Sequence, residues 1–90
     1  AIYTFNAPLL YDCIKFLMEK HLSIPQDVGV VGYDDESWGE VMGPGITAVE
    51  QDLVMIGYQA MDKLIKSIEN IDSKPEIVTI ESKLNIRHSL

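Results

Sequence analysis

The chain has 90 residues, 47% of them hydrophobic, and a formal charge of −7 at pH 7 with a pI near 4.5. That size allows one small core at most, and the seven basic residues are scattered, so the segment itself has no patch of Lys and Arg to displace the counterions of a nucleic-acid duplex. The single cysteine, Cys13, excludes an internal disulfide and a paired-cysteine redox or zinc motif, and it reads as a small buried core residue in a reducing cytoplasm.

Residues 1–5, AIYTF, form a short apolar run of strand-forming residues. No initiator Met, signal peptide or membrane-spanning stretch accompanies it, so the sequence reads as a soluble piece of a longer protein. Asn6 and Pro8 then open a helix, Asn as a preferred N-cap and Pro as a residue tolerated in the first turn. Leu10, Cys13 or Ile14, Leu17 and His21 repeat at three-to-four spacing, and the apolar members of that set predict the buried stripe. The helix is expected to stop before Ser23-Ile24-Pro25, because proline disfavours a helical residue ahead of it.

Residues 28–33, VGVVGY, are continuously apolar, as in a strand buried on both faces of a parallel sheet. Asp34, Asp35, Glu36 and Trp38 follow, in a stretch (residues 36–42) that predicts a short helical turn ended by Gly43-Pro44-Gly45. Residues 46–51 predict another strand. Asp52 is a plausible N-cap for a second long helix with the stripe Leu53, Ile56 or Gly57, Ala60, Leu64 and Ile68, ending near Asn70. Gly57 costs about 1 kcal/mol against Ala in a helix, which predicts a close helix-to-sheet approach there. Residues 76–86 read as one or two further strands.

The order is therefore strand, helix, strand, turn, strand, helix, strand, an α/β layer with a mainly parallel sheet. Such sheets bind ligands outside the carboxyl ends of their strands, which brings Asn6, the Tyr33-Asp34-Asp35 run and the Gln51-Asp52 pair into view. Asp34, first past the buried strand, can point its carboxylate into the crevice and accept two ligand hydroxyls or amines. Asp35 and Glu36 read as caps or solvated residues of the following turn. The three acids could hold a hard cation, but His21 and His88 are isolated and no calcium-loop pattern occurs, so no metal is expected. Trp38 and Tyr33 either stack on a sugar or base or simply pack. Asn6 either caps its helix or faces the crevice, and Leu53 either walls a pocket or joins the core. There is no nucleophile elbow, no convincing Cys–His pair and no phosphate loop. A binding module without cofactor is expected, not an enzyme.

Three ordered motifs, SIPQDVGVVGYDD (residues 23–35), PGITAVEQDLVMIGYQAMDKL (44–64) and LNIRHS (84–89), closely resemble the last third of the effector-binding domain of the lactose/galactose-repressor family of bacterial transcription regulators. The resemblance covers nearly the whole chain. It implies a periplasmic-binding-protein-like type I fold of two hinged α/β lobes, with a sugar-like effector between them and a headpiece outside this chain that reads operator DNA as part of a cytoplasmic homodimer. Residues 1–90 would be a partial sensor domain, mostly the carboxyl-terminal lobe, with hinge crossings at 46–51 and near 76–82. The helix at 52–70 would cross to the other lobe, leaving its apolar stripe exposed here. Carried over residue by residue, Asp34, Asn6, Gln51 and Leu53 match effector-contact or pocket-wall positions, and Trp38 joins them as a stacking candidate. The chain departs from the family at its first helix, where Ala7, Leu10 and Asp12 stand in place of Asp, Ala and Gly, and at Leu53, where an aromatic is common. A periplasmic sugar carrier of the same fold is the alternative.

Overall fold

The computed structural model describes residues 1–70 and 74–90. The elements run β1 (Ile2–Tyr3), α1 (Ala7–Glu19), β2 (Val30–Tyr33), α2 (Ser37–Val41), β3 (Thr47–Glu50), α3 (Leu53–Glu69) and β4 (Lys83–Asn85), in the predicted order. They fall into two compact units, residues 1–51 with 83–90, and residues 52–82.

The first unit is a four-stranded sheet in the order β1-β2-β3-β4. β1, β2 and β3 are parallel, and β4 returns antiparallel to β3. A parallel pair needs a crossover, and α1 supplies it between β1 and β2. Its Leu10, Ile14 and Leu17 are all but fully buried, and with Val30 and Ile46 they form the core. Cys13 lies beside that cluster, half-buried rather than inside it, and desolvation pushes its thiol pKa up.

Asn6 caps α1 as its sequence position predicts: the Leu9 N–H donates to Asn6 Oδ1 at 2.9 Å. The helix ends earlier than Pro25 requires. His21 takes a left-handed φ of +56°, its N–H donates to the Met18 carbonyl at 3.0 Å, and the Leu22 N–H donates to the Leu17 carbonyl at 2.9 Å. This pairing closes a helix through a left-handed residue just past the cap. His21 therefore belongs to the stop and not to the buried stripe.

Close packing of helix on sheet occurs at Gly32, not at Gly57. A Cβ at Gly32 would stand 2.5 Å from Leu10 Cδ2, whereas a Cβ at Gly57 would meet nothing within 4 Å. The reason is that Gly57 belongs to α3, which buries none of its residues.

The second unit begins at Asp52, whose Oδ1 accepts from the Met55 N–H at 2.8 Å and so caps α3. Residues 74–80 lie along that helix. Lys63 pairs with Glu76, and Ile56, Ala60, Val78 and Ile80 line a shallow cavity of about 450 Å³. The strand expected to begin at residue 76 is confined to Lys83–Asn85. The stretch before it has β-forming residues but no neighbouring strand to pair with among the described residues, and Ile77 is 95% exposed.

Candidate functional site

The register of the parallel strands sets the site. Ile2 stands opposite Val30 and Tyr3 opposite Val31, so the same offset carried past the strand ends sets Asn6 level with Asp34. Tyr33 stands opposite Val49, which sets Asp34 level with Glu50, just before Gln51. Three consecutive carboxyl ends thus deliver three polar side chains to one edge of the sheet, the edge at which open α/β sheets bind ligands.

Asp34 is the focus of that edge. Its φ of +68° lies in the left-handed region, which L-residues enter at a cost of about 1–2 kcal/mol and which Asp and Asn tolerate best. The turn takes the chain out of β2 and leaves the half-buried Asp34 carboxylate beside Gln51, whose Nε2 donates to Asp34 Oδ1 at 2.7 Å. A carboxylate only accepts, so this contact fixes which end of the Gln51 amide faces it. Asp34 Oδ2 and the second Nε2 hydrogen and Oε1 of Gln51 remain as donors and acceptors for a further molecule.

Asn6 has its Oδ1 committed to the cap of α1, so the group it can offer outward is its Nδ2 amide. Trp38, on α2, is half-buried against the core and meets Tyr11 edge-on, with ring centroids 5.9 Å apart and planes at 88°. Packing against Tyr11 and the core thus already engages this indole. Leu53 opens α3 in the second unit and is 69% exposed. Of the five candidate contacts, the structure joins Asp34 to Gln51 directly, and Asn6 lies just past the carboxyl end of the neighbouring strand β1.

Asp35 has a role that the sequence reading missed. Expected as a capping or solvated residue of the turn, its carboxylate is instead only 7% exposed. Arg87 grips it from two nitrogens, Nη1 to Oδ1 and Nη2 to Oδ2, both at 2.8 Å. Asn85 Nδ2 adds a bond to Oδ2 at 2.6 Å and reaches Glu50 Oε2 at 2.7 Å. The bond from Arg87, ahead of burial, which opposes it, holds the Asp35 carboxyl below the ordinary carboxylate range, while the same bond raises Arg87. Glu36 occupies the N-cap position of α2 but makes no side-chain cap and stays exposed.

The C-terminal residues also fasten the opposite end of the sheet. Ser89 is fully buried. Its Oγ donates to the Val30 carbonyl at 2.6 Å and accepts from the Thr47 N–H at 2.8 Å. Arg87 and Ser89 were visible in the LNIRHS motif, but no local spacing links them to partners 40 to 59 residues away.

A polar cavity of about 590 Å³ lies beside this clasp, between α2 and β4, with Glu36, Glu40, Glu50, Lys83, Asn85 and Arg87 on its walls. Neither Asp34 nor Gln51 lines it. Among the described residues no cluster of three or more His, Cys, Asp or Glu is set to hold a metal ion, and no helix is long and apolar enough to cross a membrane.

Comparison with known proteins gives this geometry a context. The sequence profile of the periplasmic binding protein-like domain matches residues 1–90. The HTH-type transcriptional regulator KdgR of Bacillus subtilis is 37% identical over the whole chain, which spans 26% of that protein. A transcriptional regulator CelR in complex with cellobiose superposes with a TM-score of 0.87 at 26% identity, over 97% of this chain and 27% of that one. A LacI family transcriptional regulator from Enterococcus faecalis with bound ribose does so with a TM-score of 0.87 at 25% identity, over 98% and 33%. The chain thus spans about a quarter to a third of each of these proteins.

Proposed function

We propose a function on one premise: this chain belongs to the periplasmic binding protein-like domain family and is a fragment of the effector-binding domain of a lactose/galactose-repressor-type transcriptional regulator. In this reading the complete protein is a cytoplasmic homodimer. It binds a sugar or sugar derivative between two lobes and holds operator DNA through a headpiece outside these residues. Residues 1–90 supply most of the carboxyl-terminal lobe, with the hinge crossings at 46–51 and near 76–82.

The observation that carries the reading is the Asp34–Gln51 pair at the carboxyl ends of β2 and β3, with Asp34 in a left-handed conformation. Backbone strain of this kind persists where the surroundings over-determine it, and it clusters at ligand sites. Asp34 Oδ2 accepts a hydroxyl of the effector, the Gln51 amide takes a neighbouring oxygen, and Asn6 Nδ2 donates to a third. Trp38 and Leu53 are the proposed apolar contacts. The Asp34–Gln51 bond orients both groups before the effector arrives, which lowers the ordering cost of binding. Effector that binds the closed lobes better than the open ones shifts their populations, and only that difference in affinity can change the headpiece.

The test is a thermal-shift screen of the full-length protein against sugars, sugar phosphates and nucleobases. A ligand at about 100 times its dissociation constant stabilises by about 2.7 kcal/mol. The shift should shrink in Asp34→Asn, a replacement that keeps a residue tolerant of positive φ. A sugar that shifts native and variant proteins equally overturns the assignment.

A further inference from the structure

We propose that Arg87 is a positioning residue for Asp34: by locking Asp35 from behind, it keeps Asp34 in the left-handed conformation that presents its carboxylate at the strand ends. The inference deepens the effector-contact reading of Asp34 and rests on it for its functional meaning. Asp34 has two neighbours that hold it differently. Gln51 bonds its carboxylate at 2.7 Å and so fixes the side chain, but it does not set the backbone. The backbone angles of Asp34 relate the peptide planes on its two sides: Tyr33 is anchored in the sheet, its N–H donating to the Thr4 carbonyl at 2.8 Å, so the position of Asp35 decides the conformation between them.

Asp35 is unusually well fixed. Both of its oxygens are gripped by Arg87 at 2.8 Å, and Asn85 adds a third bond at 2.6 Å. Arg87 is itself anchored to the amino end of β3. Its Nη1 donates to the Ile46 carbonyl at 2.6 Å, and its backbone N–H donates to Thr47 Oγ1 at 2.9 Å. The planar guanidinium supplies three of these side-chain bonds from one rigid fork, so the loop after β2 is referenced to the start of β3 and cannot relax independently. Removing the fork leaves Asp35 with the single bond from Asn85, too little to hold its position, and lets Asp34 fall back to negative φ, which L-residues prefer.

The test is a crystal structure of the full-length protein carrying Arg87→Lys, which keeps the charge and loses the fork, beside the native structure. The expected result is that φ of Asp34 moves from +68° into the negative region and that the Asp34–Gln51 bond is lost, while the sheet is unchanged. A merely structural Arg87 lowers the melting temperature but leaves Asp34 at positive φ and bonded to Gln51, and that outcome overturns the proposal. If Arg87→Lys does not give folded protein, Asp35→Asn asks the same question with a smaller change, and the same two outcomes decide it. No effector enters this readout, so its failure is distinct from failure of the effector-contact reading, which the Asp34→Asn binding comparison decides alone.

Discussion

The two long helices, α1 and α3, carry the same signature and meet different fates. Each has an N-cap that bonds the backbone three residues on, and each has an apolar stripe at helical spacing. α1 buries Leu10, Ile14 and Leu17 against Val30 and Ile46, while α3 buries nothing and leaves Leu64 at 54% and Ile68 at 71% exposed. Periodicity therefore reports which face of a helix is built to be covered, but not whether the cover lies within the same chain. The exposed stripe of α3 is what the resemblance implies for the helix at 52–70.

The contrast is broken most severely by matched truncations in the 90-residue chain. Leu17→Ala should cost about 3 kcal/mol, within the range for buried Leu, whereas Leu64→Ala should stay within about 0.5 kcal/mol, as for surface positions. Urea unfolding of both variants checks this, and equal losses would mean that α3 is covered after all. Next in size is the clasp that closes the unit containing α1. Asp35→Asn should cost about 2 kcal/mol, the scale of hydrogen bonds to a charged group.

That cost has a definite pH dependence. The folded Asp35 carboxyl sits below its ordinary value because Arg87 bonds its charged form. The stabilisation is therefore fully present above the unfolded pKa of about 4, and it disappears as pH falls through the lower folded value. The gap between native and Asp35→Asn unfolding energies should be constant near neutrality and close in acid.

The smallest effects sharpen the comparison by sign. Gly32→Ala pushes a methyl into buried Leu10 and should destabilise by about 1 kcal/mol or more. Gly57→Ala meets nothing and should stabilise by up to about 1 kcal/mol through helix propensity. Melting temperatures of the two variants moving in opposite directions is the expected outcome.

These pairs also mark what was legible in the sequence. Element order, both N-caps and the place of Asp34 at the end of β2 follow from local signals: apolar runs, capping residues and spacing. α1 stops before Ser23 as expected, but its left-handed closure at His21 has no local signal, since such a stop usually carries Gly or Asn, and residues 76–82 read as strand because propensity takes no account of a missing pairing partner. Gly57 draws the expectation of close packing because a glycine is conspicuous in a helix, whereas Gly32 is unremarkable in a VGVVGY strand. The role of Asp35 was invisible for a plainer reason: its partner, Arg87, is 52 residues away, and only the fold brings them together.

At the end of β2 Asp35 is fastened by Arg87 and Asn85, and the neighbouring Asp34 is the proposed effector contact. The most direct test is calorimetric titration of full-length native protein and Asp34→Asn with whichever sugar of the panel shifts the native melting most. The predicted result is a dissociation constant at least about tenfold weaker in the variant, since a lost hydrogen bond to a charged group is worth about 1.5–3 kcal/mol, with the ligand-free melting temperature nearly unchanged. Equal dissociation constants in the two proteins would contradict the account.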